Sequence, residues 1–245
     1  MSAGMDAAGF DVLGVDIAAQ PRYPFEFEQA DALTFEIPSD AVYVHASPPC
    51  QFASKVTPNH ARGKHENLIP ATRVKLQQWA RETGGVWTIE NVSGKVLDGP
   101  TMYCGGAVGL PVKRHRYFES NVVLISNGCV CGANGAKLYP EQHGTRGKYL
   151  TRFVSVAGST GGRGGIELRR AAMEMPWASG YGCAQAIPPA MGEVVAHQMF
   201  AAAMREVHGS VALTFRFIPT GDAARPRGGS LTGGPRRAQE ATRLP

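Results

Sequence analysis

The chain has 245 residues, 43% of them hydrophobic, and a net charge of +5. That length supports one α/β domain with a proper core plus a small appendage. No apolar run reaches the roughly 18 residues that suggest a membrane span, and no basic stretch followed by an apolar core marks a secretory signal. Five cysteines, an odd number, fit free thiols in a reducing cytoplasm.

In chain order, a strand is expected over Val12 to Ile17 and a short one around Phe25 to Gln29. Asp16 ends the first of these strands and Asp31 follows the second. An acidic residue at such a place can accept hydrogen bonds from ribose hydroxyls, and the plainer reading is a turn or helix-cap residue. The apolar run Ala41 to Ala46 reads as a third strand and leads into Ser47-Pro48-Pro49-Cys50-Gln51. Proline fixes φ and removes a donor, so the two prolines make a stiff lead-in that sets where Cys50 points. Residues 52–65 are polar and carry Lys55, His60, Arg62, Lys64 and His65, the pattern of an exposed loop. Glu66 to Glu82 predicts a helix with Leu68, Val74, Leu76 and Trp79 as apolar contacts and Gly84-Gly85 as its stop. Gly85 to Ile89 is the next strand, ending in Glu90-Asn91-Val92.

Two strand ends thus present a thiol and a carboxyl group. A cysteine thiolate is a strong nucleophile, and a carboxyl shielded from water holds its proton and can act as an acid. Together they suit covalent attack on an electron-poor ring with proton donation to that ring. The competing readings are a small buried hydrophobe for Cys50 and a capping or turn pair for Glu90-Asn91.

Farther along, Lys113 to Phe118 is a strand carrying a basic pair, Arg114 and Arg116. Residues 119–166 are rich in glycine and lack helical periodicity. Gly158 to Gly165 could let the backbone approach a ligand closely, or be a plain flexible loop. Cys129-Val130-Cys131 with His143 hints at zinc, but clearer zinc patterns use two ligand pairs, so no metal is expected. Cys104 and Cys183 read as structural. Glu167 to Met175 is a short helix. Pro188 to His208 is a longer one, with Met191, Val194, Val195, Gln198, Met199 and Ala202 on one face and Gly209 as its stop. Residues 219–245, rich in Gly, Pro and Arg, read as a disordered tail. Strand–helix alternation in the first part argues for a parallel sheet covered by helices.

Charge follows the same division. Residues 1–111 carry eight Lys/Arg against twelve Asp/Glu, whereas residues 112–170 carry ten against three. The basic middle is therefore the expected phosphate-binding surface, with a merely solvated face as the alternative.

These segments together resemble the DNA (cytosine-5)-methyltransferases, in particular the short phage or prophage type. The matching residues are Ala8 to Ile17, Asp31-Ala32-Leu33, Ser47 to Gln51, Glu90-Asn91-Val92, Lys113 to Phe118 and Gln185-Ala186-Ile187-Pro188-Pro189. They spread over about residues 4 to 200. The resemblance implies an α/β fold with a Rossmann-like parallel sheet of the S-adenosylmethionine-dependent methyltransferase type and a small irregular target-recognition region. The catalytic and cofactor-binding part would be residues 1–118 and the target-recognition region 119–166. Residues 167–208 would return to the catalytic domain, and 209–245 would be the basic tail. Cys50 would attack cytosine C6, and Glu90 would protonate or hydrogen-bond ring N3. Arg116 would hold the cytosine O2 with Arg114 beside it, and Asn91 would orient Pro49 and the active-site loop. Asp16, Ile17, Asp31, Ala32 and Pro49 would contact S-adenosylmethionine, Asp31 through the adenine amino group. The partner would be double-stranded DNA with a flipped cytosine, and the protein a cytoplasmic monomer.

Two departures stand out. The family's first motif, a mid-sheet strand ending in a Gly-rich turn, has no match, and residues 1–10 resemble only the helix after it. The expectation is that the true start lies upstream. In the last motif, the Gly-Asn that many members have after the glutamine is here Ala186-Ile187, a variant shared by the phage type. Alternatives to the leading reading are an RNA cytosine methyltransferase, a non-catalytic nucleic-acid-binding remnant and a thiol hydrolase. The last would need a histidine base, and His45 precedes the turn.

Overall fold

The four residues Tyr43–Ala46 (β3) and the six residues Val86–Asn91 (β4) run side by side in parallel, and every residue of β4 is buried. A strand buried on both faces reads as a near-continuous apolar run, which is why Val86-Trp87-Thr88-Ile89 shows no alternation. The computed structural model describes residues 1–54, 57–131, 139–142, 148–151, 153–154, 156 and 165–208.

Within them the fold is α/β with mixed sheets. The central sheet has the order β3-β4-β6-β5, where β5 is Thr101–Cys104 and β6 is His115–Ser120. β6 is antiparallel to both β4 and β5. Leu13–Asp16 (β1) and Glu26–Gln29 (β2) form a separate parallel pair. Tyr139–Gln142 (β7) and Lys148–Thr151 (β8) form an antiparallel pair. The expectation of one parallel sheet is thus corrected. The chain enters β6 from β5 through a short connection, which permits only the antiparallel arrangement. Among the described residues, no strand joins β1 to β3.

Helices cover both faces of the central sheet. After the one-turn helix Asn59–Arg62 (α2), Ile69–Thr83 (α3) packs with Trp87, Ile89 and Leu97 through Ile69, Leu76 and Trp79. It starts later than predicted, at Ile69 with Pro70 in its first turn, where the missing N–H costs little. It ends at Gly84, whose φ of 75° is the left-handed conformation glycine adopts without strain. Val74, predicted as a core contact, is 62% exposed. Arg73 of α3 reaches across to Glu119 of β6, with Nε to Oε1 at 2.5 Å and the second nitrogen to Oε2 at 2.8 Å. Such a bidentate pair fixes both distance and angle of the helix on the sheet.

Pro189–His208 (α6) covers the other face. Met191, Val195 and Met199 are fully buried with Tyr43, Val86, Tyr103 and Phe118. Gln198 of the predicted face binds Tyr103 Oη at 2.9 Å and both backbone groups of Ile125, so it is a polar clamp on the loop after β6. Ser2–Ala7 (α1) lies against the start of α6. Gly4 makes this possible, because a Cβ there would stand 2.3 Å from Glu193 N and 2.6 Å from Pro189 O. Backbone atoms cannot yield as a side-chain tip can, so Gly4→Ala is expected to cost about 1–3 kcal/mol. A fall in the denaturation midpoint at unchanged m-value would show it.

The stretch expected to be irregular is partly ordered. Residues 121–131 run along β5, tied by Ser126 Oγ to Met102 O at 2.6 Å. Val154 pairs with Val112, and both are buried with Val156, Ala172, Met173 and Cys183 in a second small core. That core takes in Gly165–Met173 (α4) and Gly180–Gln185 (α5). Lys55, His143, most of the Gly158–Gly165 stretch, the expected stop at Gly209 and the tail lie outside the described residues.

Candidate active site

Cys50, Glu90, Asn91 and Arg116 come together at the carboxyl ends of β3 and β4. The register explains how. Glu90 sits opposite Phe118 of β6, and Arg116 is two residues away on β6, so the two side chains are diagonal neighbours on one face of the sheet. Arg116 Nε lies 2.8 Å from Glu90 Oε1, with Glu90 6% and Arg116 7% exposed. The N–H is not aimed along that line, so the contact is an ion pair without a directed hydrogen bond. A second guanidinium nitrogen of Arg116 donates to His115 O at 3.0 Å.

Cys50 follows the two prolines and opens a turn in which its carbonyl accepts from Ala53 N at 3.0 Å and Ser54 N at 2.8 Å. Its side chain is half-buried. Burial pushes the Cys50 thiol above its ordinary range, the Glu90 carboxylate adds to that, and Arg116 opposes it. Burial likewise raises the Glu90 carboxyl, against the pull of Arg116 and the Ser47 hydroxyl. The site at rest therefore favours a protonated thiol and a carboxyl inclined to keep its proton. That is an acid placed beside a latent nucleophile.

Asn91 Nδ2 points at Pro48 O across 3.5 Å, the neighbour of the proline it was expected to orient. Among the described residues, Asn91 Oδ1 and Gln51 Oε1 are buried without a hydrogen-bond partner. Unmet acceptors beside a thiol and a carboxyl are what a ligand with N–H groups would satisfy.

Arg114 stands near Arg116 with its guanidinium on backbone carbonyls. It is 4% exposed, and its guanidinium donates to Val156 O at 2.9 Å, to Ala184 O at 2.8 Å and also to Ala186 O. Burial, with Arg116 nearby, lowers its pKa to about 9. With its fork turned to three carbonyls, Arg114 positions the segment around Gln185 instead of facing a base. Arg114, Arg116 and Arg169 are all buried, so the basic middle offers fewer surface charges than its composition suggests.

The cofactor candidates lie at the ends of the β1–β2 pair. Asp16 accepts from Ala18 N at 2.8 Å and Gln20 Nε2 at 3.1 Å, and Asp31 accepts from Leu33 N at 2.9 Å. Both carboxylates hold turns, as the plainer reading had it. Asp31 is exposed and Asp16 half-buried, and each retains accepting capacity. Ile17 is 72% exposed beside Asp16. The carbonyl of Ala32 accepts from Lys75 Nζ at 2.8 Å, which ties this turn to α3.

Sequence reasoning missed the polar chain behind Glu90. Tyr43 Oη and Thr88 Oγ1 are 2.8 Å apart, His45 Nδ1 lies 2.9 Å from the same hydroxyl, and His45 Nε2 is 2.8 Å from Ser47 Oγ. The Ser47 hydroxyl in turn lies near enough to Glu90 to pull its pKa down. Tyr43, His45 and Ser47 are two apart in sequence, so they share a face, and that alternation was the available signal. Burial lowers the His45 pKa to about 3, so its ring is neutral, and both ring nitrogens are engaged away from Cys50. A thiol–imidazole pair is not formed here. Comparison of the chain with protein-family models and with curated proteins finds no match.

Proposed function

We propose that the chain transfers a methyl group from S-adenosylmethionine to C5 of cytosine in DNA through a covalent bond between Cys50 and ring C6. The observation that carries this is the meeting of Cys50, Glu90 and Arg116 at one end of the central sheet. The Cys50 thiolate forms the C6–S bond as the Glu90 carboxyl gives its proton to N3, which leaves an electron-rich C5. S-adenosylmethionine supplies an electrophilic methyl group to that carbon. S-adenosylhomocysteine is the leaving product; loss of the C5 proton to a water base then expels the thiolate from C6, and N3 returns its proton to Glu90, which restores both groups. Arg116 balances the Glu90 carboxylate left behind and offers its fork to the ring oxygen.

Half-buried Asp16 and exposed Asp31, at the ends of parallel strands with exposed Ile17 next to Asp16, fit the hydroxyls, amino group and flat face of an adenosine. The Rossmann-like reading rests on one further feature. β1 has only β2 as partner and β3 only β4 among the described residues, and the family's first-motif strand, which sits mid-sheet, would bridge them. The turn contacts that already engage Asp16 and Asp31 favour a second reading, a nucleic-acid-binding chain without catalysis.

The test is transfer of a labelled methyl group to double-stranded DNA and, in parallel, to transfer RNA, with Cys50→Ser as control. Cys50-dependent labelling of DNA supports the leading reading. Labelling of RNA alone would replace the substrate. DNA binding that survives Cys50→Ser, with no label from either protein, would establish the second reading.

A further inference from the structure

β5 and β6 place two metal-ligand side chains directly across from each other. Cys104 and His115 are register partners in the antiparallel ladder, so their side chains leave the same face about 5 Å apart at Cβ. The loop after β6 then returns to this point. Asn127 locks it there through both backbone groups of Cys104, accepting from its N–H at 3.0 Å and donating to its carbonyl at 3.1 Å. Gly128 turns the chain with a φ of 74° and delivers Cys129 and Cys131.

The outcome is three thiols and an imidazole whose donor atoms all lie within 4.8 Å of one another. Cys104 Sγ is 3.4 Å from Cys131 Sγ, and His115 Nε2 is 3.3 Å from Cys129 Sγ and 3.5 Å from Cys131 Sγ. Zinc bonds of about 2.3 Å to sulfur and 2.0 Å to nitrogen, at tetrahedral angles, put sulfurs about 3.8 Å apart and sulfur about 3.6 Å from nitrogen. These three separations are within a few tenths of an ångström of that cage, and the other three lie inside 4.8 Å. The three cysteines are free thiols, and the sulfur–sulfur gap is far beyond a disulfide bond.

We propose that Cys104, His115, Cys129 and Cys131 bind one structural Zn²⁺. Three thiolates and one imidazole form a closed tetrahedral set, with no position left for water, and borderline-soft zinc suits that donor mix. Cys104 is fully buried while Cys129 is exposed, so the site is anchored in the sheet and open to metal entry from the loop side. The metal would staple β5, β6 and the loop that leads toward β7. It would also hold the strand position next to Arg116, which hydrogen-bonds the His115 carbonyl. The sequence pattern alone pairs Cys129 and Cys131 with His143. The structure supplies Cys104 and His115, 25 and 14 residues before Cys129, from adjacent strands instead.

The experiment uses the full chain, purified under reducing conditions without added chelator. Elemental analysis should find about one zinc per chain, retained in Cys50→Ser and lost in the double variant Cys129→Ser/Cys131→Ser. Because the double variant risks misfolding, a second measurement is made on the unaltered chain. A mercurial reagent should release the zinc in step with three thiols, and Co²⁺ put in its place should show the intense visible bands of a tetrahedral thiolate site. Less than about a tenth of an equivalent of zinc in protein with reduced thiols would overturn the proposal. So would a stoichiometric iron or copper content, a disulfide between Cys104 and Cys131 in reduced preparations, or octahedral Co²⁺ spectra.

Discussion

Replacing Glu90 by glutamine is expected to lower kcat/KM for methyl transfer by about 10²–10⁴-fold, the range for loss of a positioned general acid. The pH profile should change shape as well. In the unaltered chain, attack needs a Cys50 thiolate and a protonated Glu90 together. Rate then rises with pH as the thiol ionises or as the pair shares a proton, and falls once both groups have lost their protons. Both groups are shifted upward, chiefly by burial, so the alkaline fall lies above the ordinary carboxyl range. The amide of the Glu90→Gln variant cannot deprotonate, and its residual rate depends on the thiol alone. It should rise with pH and level off, with no alkaline fall. The rise should lie at the ionisation of the thiol itself, at or above the pH of the unaltered chain's rise, which marks loss of the first proton from the Cys50–Glu90 pair. An alkaline limb that persists unchanged in Glu90→Gln would remove Glu90 from the acid role.

Much of this site was legible before any coordinates. Cys50 is delivered by two prolines after a strand, and Glu90-Asn91 ends another. Parallel strands bring their carboxyl ends together without further instruction. What the sequence could not carry is which strands are neighbours. Alternation identifies a face and says nothing about the partner, so β6 lying antiparallel beside β4 was not foreseen, and neither was the Glu90–Arg116 diagonal. β5 was missed altogether, since Thr101–Cys104 is four residues with no clear apolar pattern. With β5 missed, Cys104 had no reason to meet His115. Helices were easier. The buried stripe Met191, Val195, Met199 of α6 repeats at four-residue spacing and was read correctly, whereas Val74 on α3 obeyed the pattern and still faces solvent.

Arg114 and Arg116 illustrate the limit most sharply, and their variants should behave in opposite ways. They are two apart and equally basic, and the resemblance put Arg116 on the cytosine O2 with Arg114 beside it. Arg114 lies before β6 begins, beside the Val112–Val154 bridge, where two chain segments distant in sequence converge on it. Its fork bonds the carbonyls of Val156, Ala184 and Ala186 and so fixes the lead-in to α6. Arg114→Ala leaves those acceptors buried without donors, at an expected cost of about 3–4 kcal/mol. For a chain of this size that corresponds to a fall of about 10 °C in Tm. Arg114→Lys keeps the charge but can reach fewer carbonyls from a single ammonium, so it should recover less than half of the loss. Arg116→Ala, by contrast, removes the cation that holds the Glu90 carboxyl down, so that carboxyl should shift further upward. Its effect should fall on kcat and on the pH profile more than on Tm. Thermal denaturation of the three variants beside methyl-transfer kinetics separates the roles. An Arg114→Ala protein that melts within about 2 °C of the unaltered chain, yet transfers no methyl group, would return Arg114 to the substrate and overturn its assignment as a positioning residue.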